Sequence, residues 1–323
     1  MVTARKGGPR FHLSVILALA LLAASLIGCQ SQGGGGTKRV PDSASLPPRP
    51  SLLIFVGAAS KPPTEEAVAA FEKRYGIRVE ANYGGSGTLL SQMKLARRGD
   101  LYFPGSSDYM EKAKREGLVR PETERKVAYL VPAINVPRGN PRGIRELRHL
   151  ARPGLRVGLA NPETVCLGGY AIEIVERNLD PEEKEALKRN VATLGESCEK
   201  TANLLTFRAV DAIIGWSVFE HWNPEKIETV KLQPREITRI GYLPIAVSVY
   251  SPRPDLARRF IEFLLSPEGQ AIYRKHGYFM TPEEAFRYVG EEKPVGGEYP
   301  VPPDWLRMTD LSPHPGSGGP LSP

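Results

Sequence analysis

The stretch that most constrains the fold is Tyr83-Gly84-Gly85-Ser86-Gly87-Thr88-Leu89-Leu90-Ser91-Gln92. Ahead of it, Ile77-Arg78-Val79-Glu80-Ala81-Asn82 alternates as a short strand does. Behind it, apolar residues recur near helical spacing through Leu89, Leu90, Met93 and Leu95. The order is strand, glycine turn, helix. A helix N-terminus exposes unpaired N–H groups at the positive end of the macrodipole. Glycines let an anion approach that backbone, and the hydroxyls of Ser86 and Thr88 add donors, so the turn is an anion seat by its physics. The same residues serve equally as a glycine loop with a capping serine and nothing bound. Two catalytic readings fail. A P-loop needs lysine after its last glycine, where Thr88 follows Gly87, and a nucleophile elbow centred on Ser86 needs glycine where Thr88 stands.

The same grammar recurs along the chain. Leu52-Leu53-Ile54-Phe55-Val56 is a continuous apolar run, the pattern of a buried parallel strand, and it ends in Gly57-Ala58-Ala59-Ser60. A helix is expected over Pro63 to Tyr75, a short strand at Asp100 to Phe103 and a helix from Met110 to Glu116. Val127 to Pro137 reads as one long extended passage between lobes. Then follow a strand at Leu155 to Ala160, a loop from Asn161 to Gly169, and a helix from Tyr170 to Asn178. A helix capped by Ser197 or Thr201 precedes the buried strand Asp211 to Trp216. Tyr242 to Tyr250 returns toward the first lobe, and helices at Pro254 to Leu265 and Pro267 to Lys275 close it. Strands alternating with helices imply parallel sheets that take ligands at their carboxyl ends, where Ser60 and Ser86 fall. The expectation is an α/β fold of two lobes, each a mainly parallel sheet flanked by helices, joined by two hinge crossings. Lobe 1 spans 51–130 plus 243–290, and lobe 2 spans 131–242.

Residues 1–28 read as a secretory leader, with Arg5, Lys6 and Arg10 ahead of the apolar run Phe11 to Ile27. That run is short for a membrane span. Leu26-Ile27-Gly28-Cys29 is similar to the bacterial lipobox, which makes Cys29 the expected site of lipidation and the chain an exported lipoprotein anchored at the cell envelope. Residues 29–50 form a Gly-, Ser- and Pro-rich tether, and 291–323 a Pro/Gly-rich tail expected not to pack as regular elements. The formal charge of +7 includes the three basic residues of the leader. With no dense basic patch interleaved with aromatics, it does not argue for a nucleic-acid partner. His12, His149, His221, His276 and His314 show no metal-ligand spacing, so neither an enzyme nor a metal centre is expected, and no cofactor.

Four segments together resemble the periplasmic molybdate/tungstate-binding proteins of ABC importers, within the type II solute-binding proteins. They are Phe55-Val56-Gly57-Ala58-Ala59-Ser60, Gly84-Gly85-Ser86-Gly87-Thr88-Leu89, Gly99-Asp100-Leu101-Tyr102 and Arg208-Ala209-Val210-Asp211-Ala212-Ile213-Ile214-Gly215-Trp216. Phe263 to Gln270 supports the wider superfamily, and the likeness covers about residues 52–285. It implies a monomeric protein that takes a tetrahedral oxyanion, molybdate or tungstate, from an interlobe cleft to an ABC permease. The anion is then held by neutral donors, namely the hydroxyls of Ser60 and Ser86, backbone N–H groups near Leu167 and Cys198, and the indole of Trp216. Trp216 stands where the family has tyrosine, Cys166 where it has proline, and Cys198 where it has a plain apolar residue. Lys61 follows the first serine, and Gly87 lies in the turn. Lys61, Gly87 and Cys166 are additional candidates, and the alternative is a metal ion or another small anion held with help from Cys166, Cys198 or Lys61. With Cys29 acylated, Cys166 and Cys198 are the two thiols left in an oxidising compartment, either as a disulfide, as separate buried thiols, or in contact with the ligand.

Overall fold

The computed structural model describes residues 50–310; the leader, Cys29, most of the tether and residues 311–323 lie outside the described residues. The chain begins with β1 (Ser51–Gly57), α1 (Lys61–Tyr75), β2 (Arg78–Gly84), α2 (Ser86–Ala96), β3 (Leu101–Phe103), α3 (Ser107–Arg115) and β4 (Arg125–Leu130). It continues through β5 (Pro132–Pro137), β6 (Val157–Ala160), α4 (Cys166–Asn178), α5 (Pro181–Asn190), β7 (Val191–Gly195), α6 (Cys198–Thr206), β8 (Ala212–Trp216), α7 (Phe219–Trp222) and β9 (Ile227–Val230). β10 (Gly241–Val247), α8 (Pro254–Leu265), α9 (Pro267–Lys275), α10 (Pro282–Val289) and α11 (Pro303–Leu306) complete it.

Two five-stranded sheets result, in the orders β2-β1-β3-β10-β4 and β7-β6-β8-β5-β9. β1 pairs in parallel with β2 and β3, and β6 pairs in parallel with β7 and β8. The antiparallel strand inserted in each sheet is the one whose chain has just crossed from the other. β5 pairs antiparallel with β8 and β9, and β10 does so with β3 and β4. The passage at Val127 to Pro137 is therefore two strands in two sheets, broken at Val131, whose carbonyl accepts from Ser217 N–H. The apolar run of β1 is explained by this placement, since Leu52, Ile54, Phe55 and Val56 are all buried with cover on both faces.

Local chemistry fixes several helix ends. Ser197 rather than Thr201 caps α6, accepting from Lys200 N–H, and Asp180 and Glu183 form a reciprocal box at the start of α5. α4 begins four residues before the expected Tyr170, which brings Cys166 and Leu167 into its first turn. α5, β7, β9 and α10 were not foreseen. α5 buries Leu187 alone, so its polar sequence carries almost no apolar period.

The C-terminal region departs further from expectation. Ala285 and Val289 of α10 join the buried cluster that holds Ile134 and Ile214 of the second sheet, while α10 also packs on β4 of the first. The tail, expected not to pack as regular elements, holds none of the helices or strands named above over residues 291–302; the short α11 follows, and the segment lies against the fold. Val295 bridges Ile240 in parallel, and Trp305 is buried in the second core with its indole N–H donating to Glu176 Oε1. Prolines and glycines keep this segment extended, while one large aromatic supplies the burial that anchors it.

Candidate functional site

The expected site residues fall on a buried seam between the two sheets, at the carboxyl ends of β1, β2 and β8. Ser60 precedes α1 and Ser86 opens α2, and both side chains are buried. Neither makes the capping hydrogen bond that the bland reading of these serines requires. Instead Ser86 Oγ accepts from Gly105 N–H at 3.0 Å and lies 3.2 Å from Cys166 Sγ, while Tyr102 OH holds the Ser86 carbonyl. Ser60 Oγ is 3.4 Å from the Gly57 carbonyl and accepts from Thr64 Oγ1, which also meets the hydroxyl of Tyr273. Gly57 is glycine for a steric reason: a Cβ there would sit 2.3 Å from Gly105 N and 2.8 Å from Ser86 Oγ.

The opposing wall comes from the second sheet. Cys166 and Leu167 form the first turn of α4, and Cys198 opens α6. Leu167, Cys198, Tyr170 and Trp216 share one continuous buried cluster with Ala58 and Ala59 of the first lobe. α2 and α4 begin in this seam without a side-chain cap, so first-turn N–H groups of both lobes face it. α1 adds none, because the Lys61 N–H is donated to the Ala58 carbonyl and Pro62 and Pro63 have none. Trp216 is fully buried at the end of β8, and its indole N–H faces the Cys198 thiol, a weak acceptor, with no oxygen or nitrogen partner among the described residues. Tyr170 stacks edge-on against that indole at 5.0 Å.

Two of the candidates have polar groups engaged by other protein groups. Lys61 Nζ is occupied by Glu199 Oε1 at 2.6 Å, an ion pair across the mouth of the seam; that hydrogen bond holds its pKa above the usual lysine range. The N–H of Gly87 is donated to the Thr164 carbonyl of the other lobe, so it closes the seam instead of facing into it. Glycine is needed there because a Cβ would lie 2.7 Å from the ring of Tyr109, whose hydroxyl reaches the Glu163 carbonyl across the same seam. Cys166 and Cys198 are both free and buried, so no disulfide joins them. Burial pushes both thiols up, which keeps them protonated and uncharged near neutral pH.

Sequence reasoning missed a buried ionic cluster next to this seat. Arg239 is 4% exposed; its Nε donates to Glu173 Oε2 at 2.6 Å and its Nη1 to Asp108 Oδ1 at 3.1 Å. The guanidinium also stacks on Tyr170, 3.7 Å from the ring centroid. Burial lifts the Asp108 carboxyl above its ordinary range and Arg239 opposes it. No local signal could have found this cluster, since Asp108 and Glu173 are distant from Arg239 in sequence and each alone reads as a surface charge.

Comparison with known proteins bears on the family and the fold. A family profile described as bacterial extracellular solute-binding protein matches residues 52–279. A putative binding protein of Haemophilus influenzae is 26% identical over 70% of this chain and 90% of its own. The sulfate-binding protein of Synechococcus elongatus is 23% identical, covering 91% and 89%, and the molybdate-binding protein ModA of Mycobacterium tuberculosis is 23% identical, covering 82% and 97%. Among solved structures, the periplasmic molybdate-binding protein of Azotobacter vinelandii superposes with a TM-score of 0.62 at 16% identity, covering 71% of this chain and 99% of that one. The sulfate-binding protein SubI of Mycobacterium tuberculosis does so at 0.66 and 18%, covering 76% and 93%. These likenesses establish the two-lobed fold.

Proposed function

The chain belongs to the bacterial extracellular solute-binding proteins, and from that premise we propose that it captures a tetrahedral oxyanion in the seam between its lobes and delivers it to an ABC permease. The observation that carries the reading is the indole N–H of Trp216, fully buried with no strong acceptor among the described residues, where α2 and α4 begin without side-chain caps. A buried donor without an acceptor costs about 1–3 kcal/mol, a cost recovered when an anion accepts from it. Ser60, Ser86, the N–H groups of Leu167 and Cys198, and Trp216 are the proposed donor set. Lys61 is spent on Glu199, so the anion is held by neutral groups and helix dipoles.

Relatives named for molybdate and for sulfate both match this chain, which supports oxyanions as the class. Within it, molybdate or tungstate is our first assignment and sulfate the second. The metal-ion alternative has less support. Among the described residues no group of three or more His, Cys, Asp or Glu side chains is placed to hold a metal ion. A lipid anchor at Cys29 and export from the cytoplasm complete the proposal, and no described helix is long and apolar enough to cross a membrane. Isothermal titration with molybdate, tungstate, sulfate and phosphate tests it. Binding of at least one with a stoichiometry near one is expected, and no heat or thermal shift from any of the four at millimolar concentration refutes the oxyanion reading.

A further inference from the structure

The polypeptide beyond the family match does not hang free of the cleft. Residues 295–298 run along one mouth of the seam and touch both lobes. On the first-lobe side, Ser107 Oγ donates to the Gly297 carbonyl at 3.1 Å, and Arg115 holds both oxygens of Glu298 at 2.7 and 2.9 Å. On the second-lobe side, Ile240 N–H donates to the Pro294 carbonyl, Gly296 N–H to the Ile240 carbonyl, and Arg239 Nη1 to the Gly297 carbonyl at 2.6 Å. Further on, Trp305 is sunk in the second core. The segment also walls an interlobe cavity of about 180 Å³ that reaches Tyr109, Cys166 and Arg239.

Arg239 is where these connections meet. One guanidinium nitrogen serves Asp108 of the first lobe and Gly297 of the C-terminal segment, the Nε serves Glu173 of α4, and the plane lies on Tyr170. Tyr170 in turn packs edge-on against Trp216, whose indole N–H is the unpaired donor of the seat. Gly241 leaves room for this stack, since a Cβ there would press on the Trp216 ring at 3.0 Å and lie 3.5 Å from Tyr170 OH. Arginine suits such a place, because its planar fork bonds several acceptors at once while its face stays free to stack.

We infer that Arg239 is a positioning residue that ties closure of the lobes and the strap of residues 291–310 to the orientation of Trp216 in the anion seat. When the first lobe swings away, Arg239 loses Asp108, and the strap loses Ser107 and Arg115. Tyr170 then loses the fixed plane above it, and the indole behind it is no longer held. Seat geometry and lobe closure become one equilibrium rather than two. The inference rests on the two-lobed seat but not on which anion fills it.

The test follows the tryptophan indoles by NMR, using ¹⁵N-labelled full-length protein with its three tryptophans assigned by single Phe substitutions. Asp108→Asn keeps the side-chain shape and weakens the lobe-to-lobe link. The expected result is a displaced Trp216 indole resonance, an unmoved Trp222 resonance and a larger radius of gyration by small-angle scattering. If molybdate binds the wild type, its affinity should fall about tenfold, within the span usual for coupled sites. Ser107→Ala with Glu298→Gln, which touches only the strap's first-lobe contacts, should shift the same indole in the same direction. This second variant also decides the matter if Asp108→Asn does not fold. An unmoved Trp216 resonance with unchanged scattering in the folded variants overturns the inference. A wild type that binds none of the four oxyanions overturns the proposed ligand class instead, and the indole shift still reads the coupling.

Discussion

Replacing Trp216 by phenylalanine separates the binding role of its indole from its packing role. The ring is fully buried, packed edge-on against Tyr170, and its N–H meets only the weak acceptor Cys198 among the described residues. In the unliganded protein the substitution removes an unsatisfied donor, a relief of about 1–3 kcal/mol. It also deletes ring volume, which costs about 1–3 kcal/mol in a packed core. The two terms oppose each other, so the melting temperature without ligand should move by only a few degrees. Binding has no such compensation. A hydrogen bond to a charged acceptor is worth about 1.5–3 kcal/mol, and at 1.4 kcal/mol per decade its loss weakens affinity about 10- to 100-fold. Calorimetry with whichever oxyanion binds the wild type, beside a thermal melt of the free protein, reads both numbers. Equal affinities for the two proteins would show that the indole does not face the anion, and the assignment of the seat would fall with it.

Ser86→Ala should cost about 1–3 kcal/mol of binding free energy by calorimetry, and a small loss of stability as well, because Gly105 N–H loses its acceptor. Asp211 should contribute to the acid limb of stability. Burial works against its charge, but the backbone and guanidinium of Arg156 and the side chain of Arg142 overcome this and hold its carboxyl below the usual range. The stability it contributes is therefore present above about pH 4 and lost as pH falls through its lowered value. Denaturant melts of Asp211→Asn should be weaker at neutral pH and flatter below pH 4, and an unchanged acid limb would exclude this role. The two described cysteines should resist Ellman's reagent in the folded protein and both react on unfolding, without reductant; fewer than two reactive thiols would contradict the free pair.

What could be read from the chain follows the range of the forces that set it. β1 and β8 are apolar on both faces, and the glycine turn before α2 is a local event, so these elements and their order were plain in the sequence. Ser60, Ser86, Cys166, Leu167, Cys198 and Trp216 do fall on one seam. What the sequence left open was of three physical kinds. The polar groups of Lys61 and Gly87 are engaged by Glu199 and the Thr164 carbonyl, partners set by how the lobes meet. For the cysteines a disulfide, separate buried thiols and ligand contact all stood open, and in the structure Cys166 turns to Ser86 and Cys198 to Trp216. The proline- and glycine-rich tail was expected to form no regular elements, and composition does not show that an extended strap can still lie on the fold through backbone partners and one anchoring ring.

Those same lobe-to-lobe contacts bear on how a neutral seat gains affinity. In the proposed seat Lys61 is engaged by Glu199, so the charge of an anion there would be met mainly by hydrogen bonds and helix ends from which water is excluded, and their strength depends on closure. Gly87 with Thr164, Tyr109 with Glu163, Lys61 with Glu199 and Arg239 with Asp108 all join the lobes through protein groups alone. They favour the closed arrangement whatever occupies the seat. A ligand shifts a two-state equilibrium only by its differential affinity for the two states, so each such contact lowers what the anion itself must supply. Selectivity can then reside in donor placement, with the bulk of Trp216 and the uncharged thiols of Cys166 and Cys198 setting the size and softness of the space.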